Sequence, residues 1–209
     1  MARFDPEIVP PQALAHLNAG SKIGLLGGSF NPAHEAHVHI SLVALRRLKL
    51  DAVLWLISPQ NPLKGTSETA PLEERLQRAR ELATDPRIIV TAIEQSLGTS
   101  YTIDTVETLQ RRFPKAHFVW LMGGDNLAQF HRWRRWQDIA RSVPFAVIAR
   151  PGFTIKALTA PAAQLFAGAR MATEKAQDLP LKAPPAWVYL EERLDPASST
   201  ALRRRGLWR

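Results

Sequence analysis

The sequence contains no cysteine and no long hydrophobic run. The absence of cysteine excludes a disulfide framework, a thiolate zinc site and a thiol nucleophile. The longest apolar runs, residues 52–57 and 145–149, have the length of strands, whereas a membrane-spanning helix needs roughly 20 apolar residues. Residues 1–20 hold acidic residues and two adjacent prolines without a continuous apolar stretch, unlike a secretory signal. We therefore expect a cytoplasmic enzyme or binding protein.

Acidic residues are also in deficit, since 27 lysines and arginines face 19 aspartates and glutamates, a net charge of +8. This balance favours anionic partners, with phosphates and nucleic acid first among them. Arginines cluster at positions 132, 134 and 135 and again at 203–205. Either cluster, taken alone, could equally be a solvated basic face. A hydrophobic content of 45% over 209 residues suits one globular domain.

Strand and helix patterns alternate along the chain. Strands are predicted over residues 22–26, 52–57, 87–91, 117–122, 145–149 and 187–190. Helices are predicted over 36–48, 71–83 and 102–113, in short pieces after Asp125 and over 136–141, and from 199 to 205. This alternation predicts an α/β protein with a Rossmann-like, doubly wound, mainly parallel sheet and helices on both faces.

The domain organisation is expected to be simple. Residues 1–21 are predicted to form a loosely structured N-terminal leader with a short helix around 11–17. Residues 22–209 are predicted to form a single domain. Within it, the alanine- and proline-rich stretch 157–185 has weak periodicity and is expected to hold one helix flanked by loops.

The most informative segment follows the first predicted strand and runs from Gly27 to His37. Two glycines allow the backbone to approach a phosphate closely, and the next helix offers unpaired N–H groups and a positive dipole end. His34 and His37 are three residues apart, so a helix start would turn both to one side, where imidazoles can donate hydrogen bonds to phosphate oxygens. In an open parallel sheet this is also where ligands bind.

The same segment could also be a different nucleotide-binding loop or a metal site. The glycine spacing fits neither the dinucleotide fingerprint nor the P-loop. Two histidines three apart could instead ligate a metal, but the sequence nominates no clear third ligand. A single histidine is otherwise more often structural than catalytic, so the segment alone leaves its chemistry open.

The segment resembles the signature of the nucleotidyltransferase superfamily, Gly-x-Phe-Asp-Pro-x-His-x-Gly-His, whose loop and two histidines bind a nucleotide triphosphate. Asn31 replaces the usual aspartate and keeps a side chain able to make local turn hydrogen bonds. Ala36 replaces the usual glycine, which requires a negative φ and room for a methyl group.

A second resemblance lies near the C-terminus. Residues 198–203, Ser-Ser-Thr-Ala-Leu-Arg, resemble the superfamily's Ile-Ser-Ser-Thr-x-Ile-Arg, with Ala197 in place of the isoleucine. Hydroxyls at a helix N-terminus form an anion site, and Arg203 could clasp phosphates with its fork of donors. Alone, the segment would be an ordinary helix cap with a basic tail.

Four further segments resemble the bacterial nicotinate-nucleotide adenylyltransferase family, each at a predicted strand end. They are Asn61-Pro-Leu-Lys64, Tyr101-Thr-Ile-Asp-Thr105, Gly124-Asp-Asn126 with Trp133, and Arg150-Pro-Gly152. The first departs from that family's Asn-x-Pro-Pro-His-Lys. The resemblance implies a transferase of pyridine nucleotide and NAD biosynthesis, which transfers the adenylyl group of ATP to nicotinate mononucleotide and releases pyrophosphate.

The resemblance also implies a role for each matching residue. His34 and His37 would be the catalytic residues and bind the α- and β-phosphates. The remaining ATP-binding residues would be Gly27, Gly28, Ser29, Phe30, Ser199, Thr200 and Arg203. The substrate-binding residues would be Asn61, Lys64, Thr102, Asp125, Trp133 and Arg150. Among these, Thr102 would bind the nicotinate carboxylate and Trp133 would stack on the pyridine ring.

Mg²⁺ is expected as a cofactor bound with ATP, held mainly by substrate oxygens and water, with no dedicated protein metal site. ATP and nicotinate mononucleotide are the expected partners, without nucleic acid or membrane. The sequence does not fix the oligomeric state, and a homo-oligomer is one alternative.

Other interpretations remain open at this point. Thr102 and Asp125 could simply cap helices, and Trp133 could be a half-buried surface aromatic. A different nucleotidyltransferase, acting on phosphopantetheine or on the amide mononucleotide, would share the first motif. The basic and aromatic run 132–136 would suit a protein that binds single-stranded nucleic acid.

Overall fold

In the computed structural model, which describes residues 4–59 and 69–192, six parallel strands form one sheet in the order β3-β2-β1-β4-β5-β6. The strands are β1 (Lys22–Gly28), β2 (Ala52–Ile57), β3 (Ile88–Thr91), β4 (His117–Gly123), β5 (Phe145–Ile148) and β6 (Trp187–Leu190). The direction of strand succession reverses between β1 and β4, and a crevice at such a point is where open parallel sheets bind ligands. The predicted Rossmann-like fold is confirmed.

Helices connect the strands and cover the sheet. They are α1 (Pro11–Asn18), α2 (Glu35–Arg47), α3 (Leu72–Leu82), α4 (Ile93–Leu97), α5 (Thr102–Arg112), α6 (Gly124–Gln129), α7 (Trp136–Ser142), α8 (Thr154–Leu158) and α9 (Pro161–Leu165). Short 3-10 helices occupy Phe130–Arg132, Ala167–Ala169 and Thr173–Leu181. Within the described ranges, no helix has the length and apolarity needed to cross a membrane.

Side chains of the strands alternate between two cores, one on each face of the sheet. In β2, Leu54 and Leu56 enter the core covered by α1, α5, α6 and α7, whereas Val53, Trp55 and Ile57 enter the core covered by α2 and α3. All of these side chains are fully buried. A strand buried on both faces reads as a continuous apolar run, which is why this strand was predicted with its observed bounds.

The segment before β1 is packed more closely than expected of a loosely structured leader in its described residues, and the short helix predicted around residues 11–17 is confirmed as α1. Val9, Ala13 and Leu17 are fully buried. Ala13 and Leu17, four residues apart, lie on one face of α1, and Val9 precedes the helix; all three pack into the core on this face of the sheet. The Ile8 carbonyl also accepts a hydrogen bond from the Ala92 N–H at 2.9 Å, next to α4.

Two regions differ from the predicted element pattern. Helix α4 was not predicted, because five residues are too few to show a helical period. The stretch 157–185 forms several short helices instead of one, since Pro161 starts α9 and Pro180 lies within the last 3-10 helix. The helix predicted from residue 199 lies outside the described residues.

Candidate functional site

The two glycines at the end of β1 have different reasons for being glycine. A Cβ on Gly27 would lie 2.6 Å from Cη2 of Trp120, a buried side chain of β4. A Cβ on Gly28 would meet nothing nearer than the Phe30 ring at 3.5 Å, an ordinary contact. Gly27 is therefore explained by internal packing. Internal packing does not explain Gly28, and its predicted role, close approach of a phosphate, stays a prediction.

The Phe30 side chain is buried in the core and cannot contact a ligand. It is 1% exposed, with its ring stacked on Trp55 at 5.1 Å and tilted against His37 at 4.4 Å. Its φ of 44° lies in the left-handed region, which is uncommon for a residue with a side chain. Phe30 can therefore contribute to nucleotide binding only through its backbone.

The two predicted histidines begin α2 and lie against each other. His34 is the N-cap residue, and its ring stacks on that of His37 with 3.9 Å between the centroids. The His34 backbone N–H donates to Nδ1 of His37 at 3.1 Å. Ala36 lies in the helix between them without a positive φ, which meets the requirement set by its methyl group.

This hydrogen bond decides which proton His37 can offer. Burial, together with the neighbouring His34 and Arg150, lowers the pKa of His37 well below its ordinary value of 6.5. The ring is thus neutral at pH 7, and because Nδ1 accepts a hydrogen bond from the backbone, the ring proton must be on Nε2. His37 is therefore a fixed hydrogen-bond donor, which suits a phosphate oxygen.

Arg150 and Asp125 meet beside the histidines. Nε of Arg150 lies 3.7 Å from Oδ1 of Asp125, and their side chains are 13% and 33% exposed. Asp125 is in the first turn of α6, directly after β4, whereas Arg150 follows β5. A Cβ on Gly123 would fall 2.4 Å from the Asp125 carboxylate, so glycine at this position makes room for the pair.

Thr102 and Trp133 belong to a second group. Thr102 is the first residue of α5. The neighbours of Thr102 and Trp133 are in contact, because the Arg134 guanidinium lies 4.4 Å from the ring centroid of Tyr101. Trp133 is half-buried, and its ring lies nearly perpendicular to that of Trp120, with 6.1 Å between the ring centroids. Since Trp120 also packs on Gly27, one buried ring sets the spacing between this group and the glycine loop.

Glu94 is a buried polar residue that the sequence reasoning missed. Its carboxylate accepts hydrogen bonds from Thr105 of α5, at 3.0 Å, and from the Ser58 side chain after β2. Burial raises the pKa of Glu94 to about 7, although both hydrogen bonds oppose the rise. Glu94 thus ties the start of α5 to the end of β2. A glutamate within an unpredicted helix gave no signal of this role.

Two further polar side chains with structural contacts that the sequence reasoning missed, those of Asn31 and Arg75, bond to the backbone of Ala70, which precedes α3. Oδ1 of the buried Asn31 accepts the Ala70 N–H at 3.2 Å. Arg75, on the first turns of α3, is 1% exposed and donates to the Ala70 carbonyl at 2.9 Å and to the Ser29 carbonyl at 2.7 Å. Only the helical spacing of α3, which puts Arg75 on the same face as the buried Ala79 four residues on, indicated that this arginine faces inward.

Some predicted residues cannot be placed. Asn61, Lys64, Ser199, Thr200 and Arg203 lie outside the described residues, so their roles stay predictions. In the described part of the chain, no group of three or more histidines, cysteines or acidic residues could hold a metal ion. The described residues therefore offer no third side chain to complete a metal site with His34 and His37.

The sequence is similar to proteins of known family. A family model described as cytidylyltransferase-like matches residues 25–205. A Methylorubrum extorquens (strain PA1) protein, named a probable nicotinate-nucleotide adenylyltransferase, is 54% identical over 184 residues, 88% of this chain and 100% of that protein. A Parvibaculum lavamentivorans protein of the same name is 50% identical over 192 residues, 92% and 96% of the two chains. The chain belongs to the nicotinate-nucleotide adenylyltransferase family.

A solved structure agrees with this family at the level of the fold. It is the Plasmodium falciparum nicotinic acid mononucleotide adenylyltransferase complexed with NaAD, which is 16% identical and covers 87% of this chain and 82% of its own, with a TM-score of 0.65. The resemblance found in the sequence is confirmed, and so is the assignment of this adenylyltransferase to the nucleotidyltransferases.

The two glycines of the loop give a matched pair of variants. Gly27→Ala should lower the free energy of unfolding by about 1–3 kcal/mol, because the added methyl overpacks against Trp120. Gly28→Ala should leave that free energy within about 0.5 kcal/mol, since its methyl makes only an ordinary contact with the Phe30 ring, and it should raise the KM for ATP, because the methyl hinders the approach of a phosphate to the loop. Urea unfolding and steady-state kinetics measure both. Equal stability of the two variants would contradict the packing account.

Glu94 predicts a pH dependence of stability. Its pKa is about 7 in the folded protein and 4.5 as the reference value, so the folded state holds the extra proton between these values. The resulting stabilisation is complete below about pH 4.5 and is lost as the pH rises through about 7. Glu94→Gln should reduce the loss of unfolding free energy between about pH 5 and pH 8 by roughly 1–3 kcal/mol.

Urea unfolding at the two pH values checks this expectation. Glu73→Gln, an exposed glutamate of α3, is the matched control and should keep the wild-type pH dependence. An unchanged slope in Glu94→Gln would show that Glu94 is not the titrating group.

Proposed function

We propose that this chain catalyses adenylyl transfer from ATP to nicotinate mononucleotide, which gives nicotinate adenine dinucleotide and pyrophosphate in NAD biosynthesis. The observation that carries the proposal is the donor geometry at the start of α2. There, the His34 N–H fixes a neutral His37 with its Nε2 proton free to meet a phosphate oxygen. This donor lies beside the Gly28 loop and the Arg150 cation, at the crevice between β1 and β4.

The nucleotide's phosphates would lie along this edge. His34 and His37 would contact the α- and β-phosphates, while Gly28, Ser29 and the Phe30 backbone would line the loop beneath them. Ser199, Thr200 and Arg203 would bind the β/γ end. Hydrogen-bond donors that are already positioned and lie in a partly enclosed site stabilise developing charge without reorganising, which is the main requirement of this reaction.

The acceptor would lie on the side of α5. Thr102 and the free N–H groups of the first turn of α5 suit a carboxylate, and the half-buried Trp133 ring suits a flat pyridine. Asp125 would accept hydrogen bonds from a ribose, with its distance to Arg150 already set. Asn61 and Lys64 would reach the acceptor phosphate.

The chemical step is a single displacement. A phosphate oxygen of nicotinate mononucleotide attacks the α-phosphorus of ATP, the bond from that phosphorus to the bridging oxygen breaks, and pyrophosphate leaves with the electron pair. The nucleophile is already an anion, so no general base or covalent intermediate is needed. The residues contribute by positioning two charged substrates and by donating hydrogen bonds to the oxygens that gain charge.

Mg²⁺ fits this arrangement as a companion of ATP. Asp125 is the sole carboxylate among the predicted site residues, and it faces Arg150. The side chains therefore suit phosphate oxygens more than a bare cation, and a divalent ion would be held by ATP and water, where it neutralises phosphate charge. Cytoplasmic location, the absence of nucleic-acid and membrane partners, and oligomeric state stay predictions.

Acceptor choice tests the proposed activity. Pyrophosphate release from Mg-ATP should be fastest with nicotinate mononucleotide when its amide and phosphopantetheine are offered in parallel, because Thr102 and the start of α5 favour a carboxylate. Preference for another acceptor would overturn the assigned pocket and leave the phosphate loop intact. Release with none of the three would overturn the proposed activity.

His37→Ala tests the donor at the centre of the proposal. Its loss should reduce kcat by about 10²–10³, the usual effect of removing one donor of this kind. The control is His117→Ala, an exposed residue at the opposite end of β4, which should keep wild-type kcat. Thermal unfolding of both variants shows whether the fold is intact. Full activity of His37→Ala would contradict the assignment.

A further inference from the structure

Arg75 is a buried cation that the reaction described above does not use. It is 1% exposed, and its guanidinium donates to four backbone carbonyls, those of Ala70, Ser29, Ser58 and Pro59, at distances of 2.7 to 2.9 Å. Among the described residues, no carboxylate forms an ion pair with it. Burial lowers the pKa of Arg75, yet a guanidinium stays protonated in proteins.

A buried charge of this kind needs a reason. Removing a cation from water is costly, and a well-packed apolar side chain in its place is often at least as stabilising. Simple fold stability is therefore a weak explanation for Arg75. The four carbonyls that accept its hydrogen bonds all belong to loops at the carboxyl end of the sheet. None of them belongs to α3, the helix that carries Arg75.

The contact with Ser29 has a direct consequence for the phosphate loop. A trans peptide is planar, and its carbonyl and N–H point in opposite directions. Since Arg75 draws the Ser29 carbonyl towards the protein interior, the N–H of Phe30 is turned the other way. This N–H donates no hydrogen bond to another residue in the described part of the chain, so it is available to a ligand.

The conformation of Phe30 shows that this peptide must be held. Its φ of 44° is sparsely populated for a residue with a side chain, and such a conformation persists only when its surroundings fix it. The Phe30 ring is fixed by stacking on Trp55. The peptide before it is fixed by Arg75, and the residue after it, Asn31, is tied to Ala70.

We propose that Arg75 is a positioning residue for nucleotide binding, which holds the Ser29–Phe30 peptide so that the Phe30 N–H faces the triphosphate. It acts through the loop backbone and does not touch the substrate. The same guanidinium fixes the end of β2 through Ser58 and Pro59, so the loops after β1 and β2 keep one relative position. This inference rests on the proposed function, in which ATP binds at the Gly28 loop.

The decisive variant is Arg75→Lys, because it keeps the charge and removes the fork of donors that joins the loops. Its kcat/KM for ATP should fall by about 10- to 100-fold, the range expected when a binding group is misplaced by about an ångström. The KM for nicotinate mononucleotide should change less than the KM for ATP, because Arg75 bonds directly to the Ser29 carbonyl of the phosphate loop and reaches the acceptor side only through the loop after β2. Arg78→Lys, the same substitution at an exposed position of α3, is the control.

A second measurement separates positioning from a general structural role. The affinity of each variant for a non-hydrolysable ATP analogue, titrated without acceptor, should fall in Arg75→Lys and stay unchanged in Arg78→Lys. Arg75→Gln should show the same pattern with a larger loss. Equal losses for ATP and for nicotinate mononucleotide, unchanged affinity for the analogue, or failure of both Arg75 variants to fold would overturn the positioning role.

Titration with the ATP analogue tests the role of Arg75 independently of the proposed adenylyl transfer. A wild-type protein that binds the analogue but releases no pyrophosphate with any acceptor would refute the adenylyl transfer and leave Arg75 testable by affinity alone. A wild-type protein that transfers the adenylyl group, with Arg75→Lys binding the analogue as tightly, would refute the role of Arg75 only.

Discussion

The site depends on one constraint, the parallel register that ends β1, β2 and β4 at the same edge of the sheet. Gly28 pairs with Ile57, so β1 and β2 finish side by side, and β4 lies against β1 on the other flank. Because the order reverses between β1 and β4, the helices after these two strands leave on opposite faces and a crevice opens between them. The histidines enter it from α2 and Asp125 enters it from α6, without any long loop to position them.

The electrostatics of this edge differ from what the net charge alone suggests. His37 does not add a full positive charge, because burial lowers its pKa and keeps the ring neutral, so it acts as a directed donor. Full charges come from arginines that the fold has already fixed, Arg150 against Asp125 and Arg75 against loop carbonyls. A site for a polyphosphate thus combines fixed cations with neutral donors. This arrangement limits the repulsion that three or four clustered cations would cause before a ligand binds.

The sequence predicted the parts of the structure that depend on local pattern. Strand β2 followed from its continuous apolar run and helix α2 from apolar periodicity, and His34, His37 and Asp125 were predicted from motifs at strand ends. The parts it did not predict depend on contacts between distant residues. Gly27 was interpreted as room for a phosphate, whereas the structure shows room for Trp120, 93 positions along the chain. Arg75 and Glu94 carried no motif, and their partners are carbonyls and hydroxyls that only the folded chain brings together.

These distant contacts explain how a pocket for two substrates can keep a fixed length. Trp120 packs on Gly27 and lies perpendicular to the nearby ring of Trp133, so a rigid buried indole separates the phosphate loop from the ring expected to stack on the pyridine. Glu94 joins the start of α5 to the end of β2, and Arg75 joins the end of β2 to the phosphate loop. The donor side and the acceptor side are therefore connected twice through buried groups. An in-line displacement requires such a connection, because the attacking oxygen and the α-phosphorus must meet at a distance that neither substrate sets alone.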